Sequence, residues 1–323
     1  MPDLVLKNIS EMIGPFDVQN MRKVCHRLRS YLDVDSPSYN YDTLALVMDT
    51  YKTTLSYIHE STYLTTNYQR SGRGSIVSSN KSHGQTVLLG NDSIDLLCND
   101  LKQNVVKHKS KIKHLFVDVE HHNASRRFMK KLPALLSSEH PLKVKKVYMT
   151  VYKVQELHMV LPYLDKNEIE TIAMFQARKC RTMTLSVKDM DRIASLDIWK
   201  KAKTIICQMK LASSASIHHF FHIKDITFQF EELFIADLKK LKETMLSPTS
   251  NFKMTQISYT RFKDEEMFIA SLGPFGHPSR HGKTTWYFQH QNDRILNVVY
   301  RPHWILIGWD NNIPQGADIS KMF

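Results

Sequence analysis

Histidine is the residue type in this chain that could most readily bind a metal or take part in catalysis, because sixteen histidines are present and some of them cluster. His121 and His122 are adjacent, and His218, His219 and His222 lie close together. On a helix, His218 and His222 would share one face through their i, i+4 spacing. Zinc would need further cysteine, histidine or acidic ligands nearby, and the sequence has neither an HExxH motif nor a cysteine pair. We therefore predict solvent-facing histidines and no metal site.

Glycine-rich segments and nucleophile motifs give no sign of catalysis. Arg70 to Gly74 contains two glycines but fits neither the P-loop nor the dinucleotide-binding pattern, which predicts a flexible hairpin tip. Gly276 to Gly282 has turn composition, and no GxSxG motif occurs. We predict no catalytic residue, no cofactor-binding residue and no cofactor.

Composition indicates a globular protein of a reducing compartment. The chain has 323 residues, of which 42% are hydrophobic, enough for a substantial core. Its four cysteines are scattered, as expected for small core residues rather than disulfides. The sequence lacks both an apolar run of about 18 residues and a signal-peptide core. We expect a cytoplasmic or nuclear protein that is neither secreted nor inserted in a membrane.

Positive charge is concentrated downstream of residue 100. The formal net charge is +12, whereas the acidic and basic residues of the first 36 positions balance. Most basic residues alternate with apolar ones, which is typical of solvated helix faces and strand ends. An acidic partner, either nucleic acid or an acidic protein surface, is the alternative. The basic stretches are Lys102 to Lys113, Arg126 to Lys131, Lys143 to Lys146 and Arg178 to Lys210.

The elements that must position these groups begin with a predicted antiparallel β meander. Short alternating runs are broken by turn residues between Leu44 and Leu89. A helix follows over Asp92 to His108, with Asn91 or Asp92 as its cap.

A repeated α/β unit is predicted from Ile112 onward, and its order of strand, helix, strand favours parallel strands in a right-handed stack. The spacing falls near that of leucine-rich repeats, although no LxxLxLxxN motif is present. Three alternating segments near the C-terminus predict an antiparallel cap. The predicted strands are Ile112–Val119, Val144–Val151, Ile169–Met174, Thr204–Met209, Asp225–Phe230 and Met254–Tyr259. The predicted helices are Ala124–Leu136, Val154–Leu164, Lys188–Leu196, Ser216–His222 and Ile235–Met245. The cap segments are Thr284–Phe288, Ile295–Tyr300 and Trp304–Trp309.

Tryptophan could serve either packing or partner binding, because aromatic residues dominate interface hot spots. Trp199 falls in an apolar block and is predicted to be in the core. For Trp286, Trp304 and Trp309 we expect packing within the cap.

The first 33 residues predict two short amphipathic helices joined by Gly14 and Pro15. Apolar residues also lie off the main stripe of each helix, so each helix is expected to have two buried faces. So small a pair cannot hold a core alone. It must pack against something else.

The amino-acid pattern of these two helices resembles an F-box. The resemblance is to the version found at the N-terminus of a large nematode family that also carries an FTH domain. That resemblance implies docking on the Skp-type adaptor of a cullin-RING ubiquitin ligase. The positions that match the family's adaptor-facing or helix-packing positions are Pro2, Leu4, Val5, Ile9, Val24, Cys25 and Leu28.

Later blocks resemble the FTH domain over roughly Leu115 to Phe275. The resemblance implies a leucine-rich-repeat-like α/β receptor for protein substrates without catalytic activity. The matching blocks are Val160–Leu164, Ile169–Ile172, Leu196–Lys203, Ile226–Phe228 and Ile235–Lys242.

The predicted organisation has four parts: an F-box (1–36), a β meander with a linking helix (37–111), an FTH domain of leucine-rich-repeat-like solenoid type (112–275) and a β cap (276–323). The resemblance implies the substrate-recognition subunit of an SCF-type ligase, whose partners are the adaptor and an unidentified protein substrate. An acidic substrate would account for the basic charge. The alternative is a non-catalytic nucleic-acid-binding protein, which no recognised RNA-binding motif supports. An enzyme ranks last.

Overall fold

The computed structural model describes residues 5, 8–9, 17, 21, 24–34, 39–81, 84–106, 110–120, 122–136, 141–178, 180, 183–212, 214–247, 252–273, 276–278, 282–289, 294–310 and 319–321. It is a mixed α/β structure with extensive mixed sheet. The chain divides into two compact units. Unit 1 comprises Met1–Glu170 and Ala177–Cys180, and unit 2 comprises Thr171–Gln176 and Arg181–Phe323.

Unit 1 contains seven strands and four α-helices in its described part. The strands are β1 (Asn40–Met48), β2 (Lys52–His59), β3 (Thr62–Ser71), β4 (Gly74–Ser79), β5 (Gln85–Leu89), β6 (Lys111–Val119) and β7 (Lys143–Val151). The helices are α1 (His26–Val34), α2 (Ser93–Leu101), α3 (His122–Leu135) and α4 (Val154–Val160). A π-helical turn, Lys102–Val106, extends α2, and a 3-10 turn, Leu161–Tyr163, follows α4.

The sheet of unit 1 has the order β5-β4-β3-β2-β1-β6-β7. Strands β1 to β5 form an antiparallel meander, while β1, β6 and β7 run parallel. The predicted meander is confirmed, and so is the hairpin tip at Gly72, where φ is +45°. A glycine suits this turn because residues with a Cβ rarely adopt positive φ.

Helices cover one face of this sheet. Leu44 and Leu46 of β1 and Leu115 and Val117 of β6 are buried. They line a common apolar region with helix residues such as Leu101 of α2, Phe128 of α3 and Val160 of α4. Intervening residues of the same strands are more exposed, as expected when alternate side chains point to opposite faces.

Unit 2 places a parallel sheet next to an antiparallel one. Its strands are β8 (Thr171–Gln176), β9 (Thr184–Leu185), β10 (Thr204–Leu211), β11 (Asp225–Leu233), β12 (Met254–Phe262), β13 (His277–Pro278), β14 (Thr284–Gln289), β15 (Ile295–Arg301), β16 (Trp304–Asp310) and β17 (Ile319–Lys321). Its helices are α5 (Val187–Ala194), α6 (Asp197–Lys201), α7 (Ile235–Leu246) and α8 (Glu265–Ser271), with a 3-10 helix over Ser214–Phe220.

Strands β8 and β9 both pair with β10, and β10, β11 and β12 continue in parallel. Strand β16 joins β12 in antiparallel fashion, followed by β15 and β14. The predicted antiparallel addition at the end of the parallel strands is confirmed. Trp286 of β14 is buried, and its indole Nε1 donates to the carbonyl oxygen of Gly273 at 3.1 Å.

The predicted core position of Trp199 is also confirmed, since the residue is fully buried. Its ring meets Phe220 edge-on at 5.5 Å between centroids, and its Nε1 donates to the carbonyl oxygen of His219 at 3.0 Å. Phe228 and Phe230 continue this aromatic cluster. The packing therefore fixes the 3-10 helix next to α6.

Some predicted boundaries were wrong. Strand β8 starts two residues later than predicted, at Thr171, and the predicted helix over Ser216–His222 is a 3-10 helix. The apolar pattern predicts one helix over Met21–Asp33, but the structure interrupts it: Met21 is helical, Val24 lies in a turn, and α1 begins at His26. Most of the first predicted helix lies outside the described residues.

Candidate protein-binding surfaces

The N-terminal segment carries the residues that the F-box resemblance assigns to adaptor binding. Val24 is 71% exposed, Cys25 and Val5 are exposed, and Ile9 and Leu28 are half-buried. Pro2 and Leu4 lie outside the described residues. The described members of the set therefore include apolar side chains that this chain leaves accessible.

Helix α1 is anchored by its C-terminal half. Leu32 is buried in the core, while Val34 at the helix end is 82% exposed. At the other end, the Leu28 amide donates to the Cys25 sulfur at 3.5 Å, and the Arg29 amide donates to the Cys25 carbonyl at 3.1 Å. Cys25 thus caps the helix start while staying at the surface. Of the predicted residues, the structure brings Cys25 and Leu28 into direct contact.

A cleft of about 360 Å³ in unit 1 lies between the meander and the start of α2. Its lining includes the cations of Lys52, Arg70 and Arg127 together with the carboxylate of Asp49. Arg127 also donates to the carboxylate of Asp92, the cap of α2. The lining therefore holds three cations and one carboxylate, and because Asp92 balances Arg127, a small positive excess remains.

Asp92 joins this ion pair to the helix start. Its Oδ1 accepts the Ile94 amide at 2.9 Å. Burial works to raise the pKa of Asp92, but the hydrogen bonds from Arg127 and from Ile94 outweigh it and hold the pKa below its ordinary value. The carboxylate stays ionised and fixes α3 against α2. The sequence suggested Asp92 as a cap but gave no sign of Arg127 as its partner.

The histidine cluster takes a different form from the one its spacing suggested. Oxygen and nitrogen atoms of Asp191, His218 and His219 lie within 4.8 Å of one another. His219 Nε2 is 2.7 Å from Asp191 Oδ1, and the rings of His218 and His219 are 3.9 Å apart. His222 Nε2 instead lies 3.1 Å from the Trp199 carbonyl oxygen. An ion pair or hydrogen bond and a ring contact account for this geometry.

Sequence spacing missed Asp191 because it lies on α5, far from the histidines in the chain. It also grouped His218 with His222 on the assumption of α-helical spacing. In a 3-10 helix the side chains repeat every three residues instead. The Asp191 and His219 pair depends on how α5 packs against the 3-10 helix.

Several of the basic stretches carry carboxylate partners. Lys111 pairs with Glu168 at 3.2 Å and Lys145 with Glu170 at 3.3 Å. Lys131 pairs with Asp95, next to the start of α2. Such exposed pairs stabilise little, but they reduce the local positive potential. The net charge therefore overstates the positive field of these segments.

These features define a mixed α/β protein with accessible apolar side chains near its N-terminus. Residues 126–272 match the family model of the FTH domain, so the chain contains an FTH domain over that range. The match lies within the predicted limits of 112–275 and spans parts of both compact units. No curated protein and no solved structure matches the chain. Each helix in the described part of the chain is too short or too polar to traverse a lipid bilayer.

Proposed function

We propose that this chain is the substrate-recognition subunit of an SCF-type cullin-RING ubiquitin ligase. The match to the FTH domain, a domain found in F-box proteins, is the observation that carries the proposal. The N-terminal lettering supports it, because the same chain has an F-box-like segment ahead of the FTH domain. The accessible Val5, Val24 and Cys25 supply apolar surface for an adaptor.

The proposal assigns different binding roles to two parts of the chain. The N-terminal segment docks on the Skp-type adaptor, and the remaining chain binds a protein substrate. Neither role needs catalysis, so the chain is a non-catalytic subunit that acts in the cytoplasm or nucleus. An acidic substrate fits the net charge of +12.

We also infer that the α/β region is a degenerate relative of the leucine-rich repeat. Its support is the alternation of helices with strands that pair in parallel, β1, β6 and β7 in unit 1 and β8, β10, β11 and β12 in unit 2. Three of the helix starts also share the acidic part of a capping box, which is common in helices generally. The third residue of α4, α5 and α7 is acidic in each case, and its carboxylate accepts a backbone N–H from just before the helix. These residues are Glu156, Asp189 and Asp237. A hydrophobic residue follows each acid and is buried: Leu157, Met190 and Leu238.

Adaptor binding is tested by a copurification experiment with a recombinant Skp-type adaptor. Val24→Glu should lower the recovered adaptor at least about tenfold, because a charge would enter an apolar interface. Val24 is exposed, so the change should not unfold the chain. Val34→Glu is the matched control, since Val34 is an exposed valine at the far end of the N-terminal helix. It should bind as the unmodified chain does.

Two results would contradict the proposal. One is an unmodified chain that retains no adaptor at micromolar concentrations. The other is equal binding by the Val24→Glu chain and the Val34→Glu chain.

A further inference from the structure

The sheet of unit 1 has a face that the described helices leave uncovered. On β1, Leu44 and Leu46 are buried under helices, whereas Thr43, Ala45 and Val47 alternate with them and are only partly covered. The same alternation occurs in β2, in β6 from Leu115 and in β7 from Val147, and strand pairing extends the face onto β3. We call the side chains of these five strands that alternate with the helix-covered ones the open face.

Two stacked rings stand at one side of the open face. Phe116 of β6 pairs with Tyr148 of β7, and their rings are 4.6 Å apart with an interplanar angle of 10°. This distance matches the spacing of neighbouring strands, so the rings stand side by side along the row. The second face of Phe116 is therefore turned towards β1.

Residues that are partners across neighbouring strands form a row on the open face. On β1 and β2 the side chains of the row that contains Phe116 are small. Ala45 is the partner of Phe116, and Ser56 is the partner of Ala45. The Ser56 hydroxyl is 3.0 Å from that of Thr65 on β3, so these two polar groups satisfy each other. A floor of small side chains thus lies beside an aromatic wall. Because the hydroxyls of Ser56 and Thr65 contact each other, this floor does not require a polar ligand.

The neighbouring row gives this floor a second apolar wall. Thr43 pairs with Ile58 of β2, and Ile58 pairs with Tyr63 of β3. Phe116 is 38% exposed and Ile58 37%, and Tyr63 is more exposed still. Ile58 and Tyr63 adjoin each other, and Phe116 lies across β1 from them, so exposed apolar or aromatic side chains flank the floor on both sides. Exposed apolar surface of this kind is a common mark of an interaction site.

Positive charge lies at the edge of this patch. Lys146 is the strand partner of His114 and so lies on the open face. Burial together with repulsion from Lys146 and Lys113 lowers the pKa of His114, against a smaller opposite effect of Asp42. Neither lysine has an ion-pair partner among the described residues. Lys111 and Lys145, by contrast, are paired with glutamates. Lys146 can therefore receive an external carboxylate.

We propose that the open face binds an acidic protein segment. The segment places an aromatic or branched aliphatic side chain over Ala45, against Phe116 and Ile58, and an acidic residue near Lys146. This assignment rests on the proposed function, because it takes the occupant to be part of the ligase substrate.

Single-stranded nucleic acid fits this face less well. A base can stack on the side of Phe116 that Tyr148 leaves open, but the phosphates next to that base then lie near carboxylates. Asp118 follows Phe116 on the same face, and Asp42 lies beside His114, so a phosphate chain would meet carboxylates at both ends. A peptide segment needs only one carboxylate, at Lys146 on β7, which β6 separates from Asp42 on β1, so it meets less of this repulsion than a chain of phosphates does.

The test selects a phage-displayed random peptide library on the full chain and measures one enriched synthetic peptide by fluorescence anisotropy. We expect enrichment of an aromatic or branched aliphatic residue next to Asp or Glu. Ala45→Arg fills the floor and Phe116→Ala removes the wall, and each should weaken binding about tenfold or more. Lys146→Glu should weaken it by a smaller factor. Met267→Ala, at an exposed methionine of unit 2, is the control and should change nothing.

The proposal is overturned if no enriched peptide loses affinity in both Ala45→Arg and Phe116→Ala, with folding of each variant confirmed by circular dichroism. It is also overturned if a 12-nucleotide RNA binds the chain more tightly than the peptide does and Phe116→Ala weakens that RNA binding. Adaptor binding is measured separately. Peptide binding without adaptor binding would remove the ligase role and keep the site, and the reverse would remove the site alone.

Discussion

The pair formed by Tyr68 and Asp100 shows how one residue contact ties the meander to helix α2. Tyr68 of β3 is buried, and its hydroxyl donates to the Asp100 carboxylate. Burial raises the pKa of Asp100, and the hydrogen bond from Tyr68 offsets this only in part. Sequence periodicity placed both residues in the correct elements. It could not pair them, because 31 positions separate them and strand register decides the contact.

This pair predicts a pH dependence of folding stability. A carboxyl group with a raised folded-state pKa stabilises fully below its ordinary pKa, and this contribution is lost as pH rises through the folded-state value. The free energy of unfolding of the unmodified chain, minus that of Asp100→Asn, should therefore fall as the pH rises above 3.8, the ordinary pKa of the group. Urea unfolding at several pH values measures this difference.

Tyr68→Phe provides the control for that prediction. The hydroxyl favours the ionised carboxylate, so its removal should move the loss of stability to higher pH. If the difference between the unmodified chain and Asp100→Asn did not change with pH, the pair would not have this role.

At the scale of elements, the sequence predicted most strands because their burial alternates regularly. The elements that it missed depend on contacts between distant segments. Strand β9 has two residues, too few for any period, and it exists because Thr184 and Leu185 align with the end of β10. The 3-10 helix takes its form from packing around Trp199 rather than from its own sequence. The open face likewise arises because β6 pairs with β1, which sets Phe116 beside Ala45.

The acidic third residue of α4 leads to a prediction about the stability that its cap contributes. Glu156 is buried, and its Oε2 accepts the Tyr152 amide at 2.8 Å and the Lys153 amide at 3.3 Å. Glu156→Ala leaves these donors without a partner and should lower the free energy of unfolding by about 1 to 2 kcal/mol. Gln155→Ala, at an exposed position of the same helix, should change it by less than about 0.5 kcal/mol. Urea titrations followed by circular dichroism compare them, and equal losses would show that the carboxylate does not cap α4.

At the scale of the whole molecule, the order of strand and helix patterns predicted the α/β class and composition predicted the basic character, but neither showed where the charge acts. The net charge of +12 is divided among segments of both units, and part of it is balanced by neighbouring carboxylates. The pairs could not be predicted, since Glu168 and Glu170 lie more than twenty positions from their lysines. A high net charge therefore does not by itself define a nucleic-acid site.

This distribution predicts weak and non-specific binding of nucleic acid. A labelled 20-nucleotide RNA should bind at about 50 mM salt and be released by about 200 mM, because scattered lysines act only by displacing counterions. Its affinity should depend neither on RNA sequence nor on Phe116→Ala. Fluorescence anisotropy across a salt series, with two unrelated RNA sequences, measures both. Sequence-selective binding that persisted at 200 mM salt would favour the nucleic-acid-binding alternative, and the basic segments would then be its contact surface rather than part of a receptor for acidic protein segments.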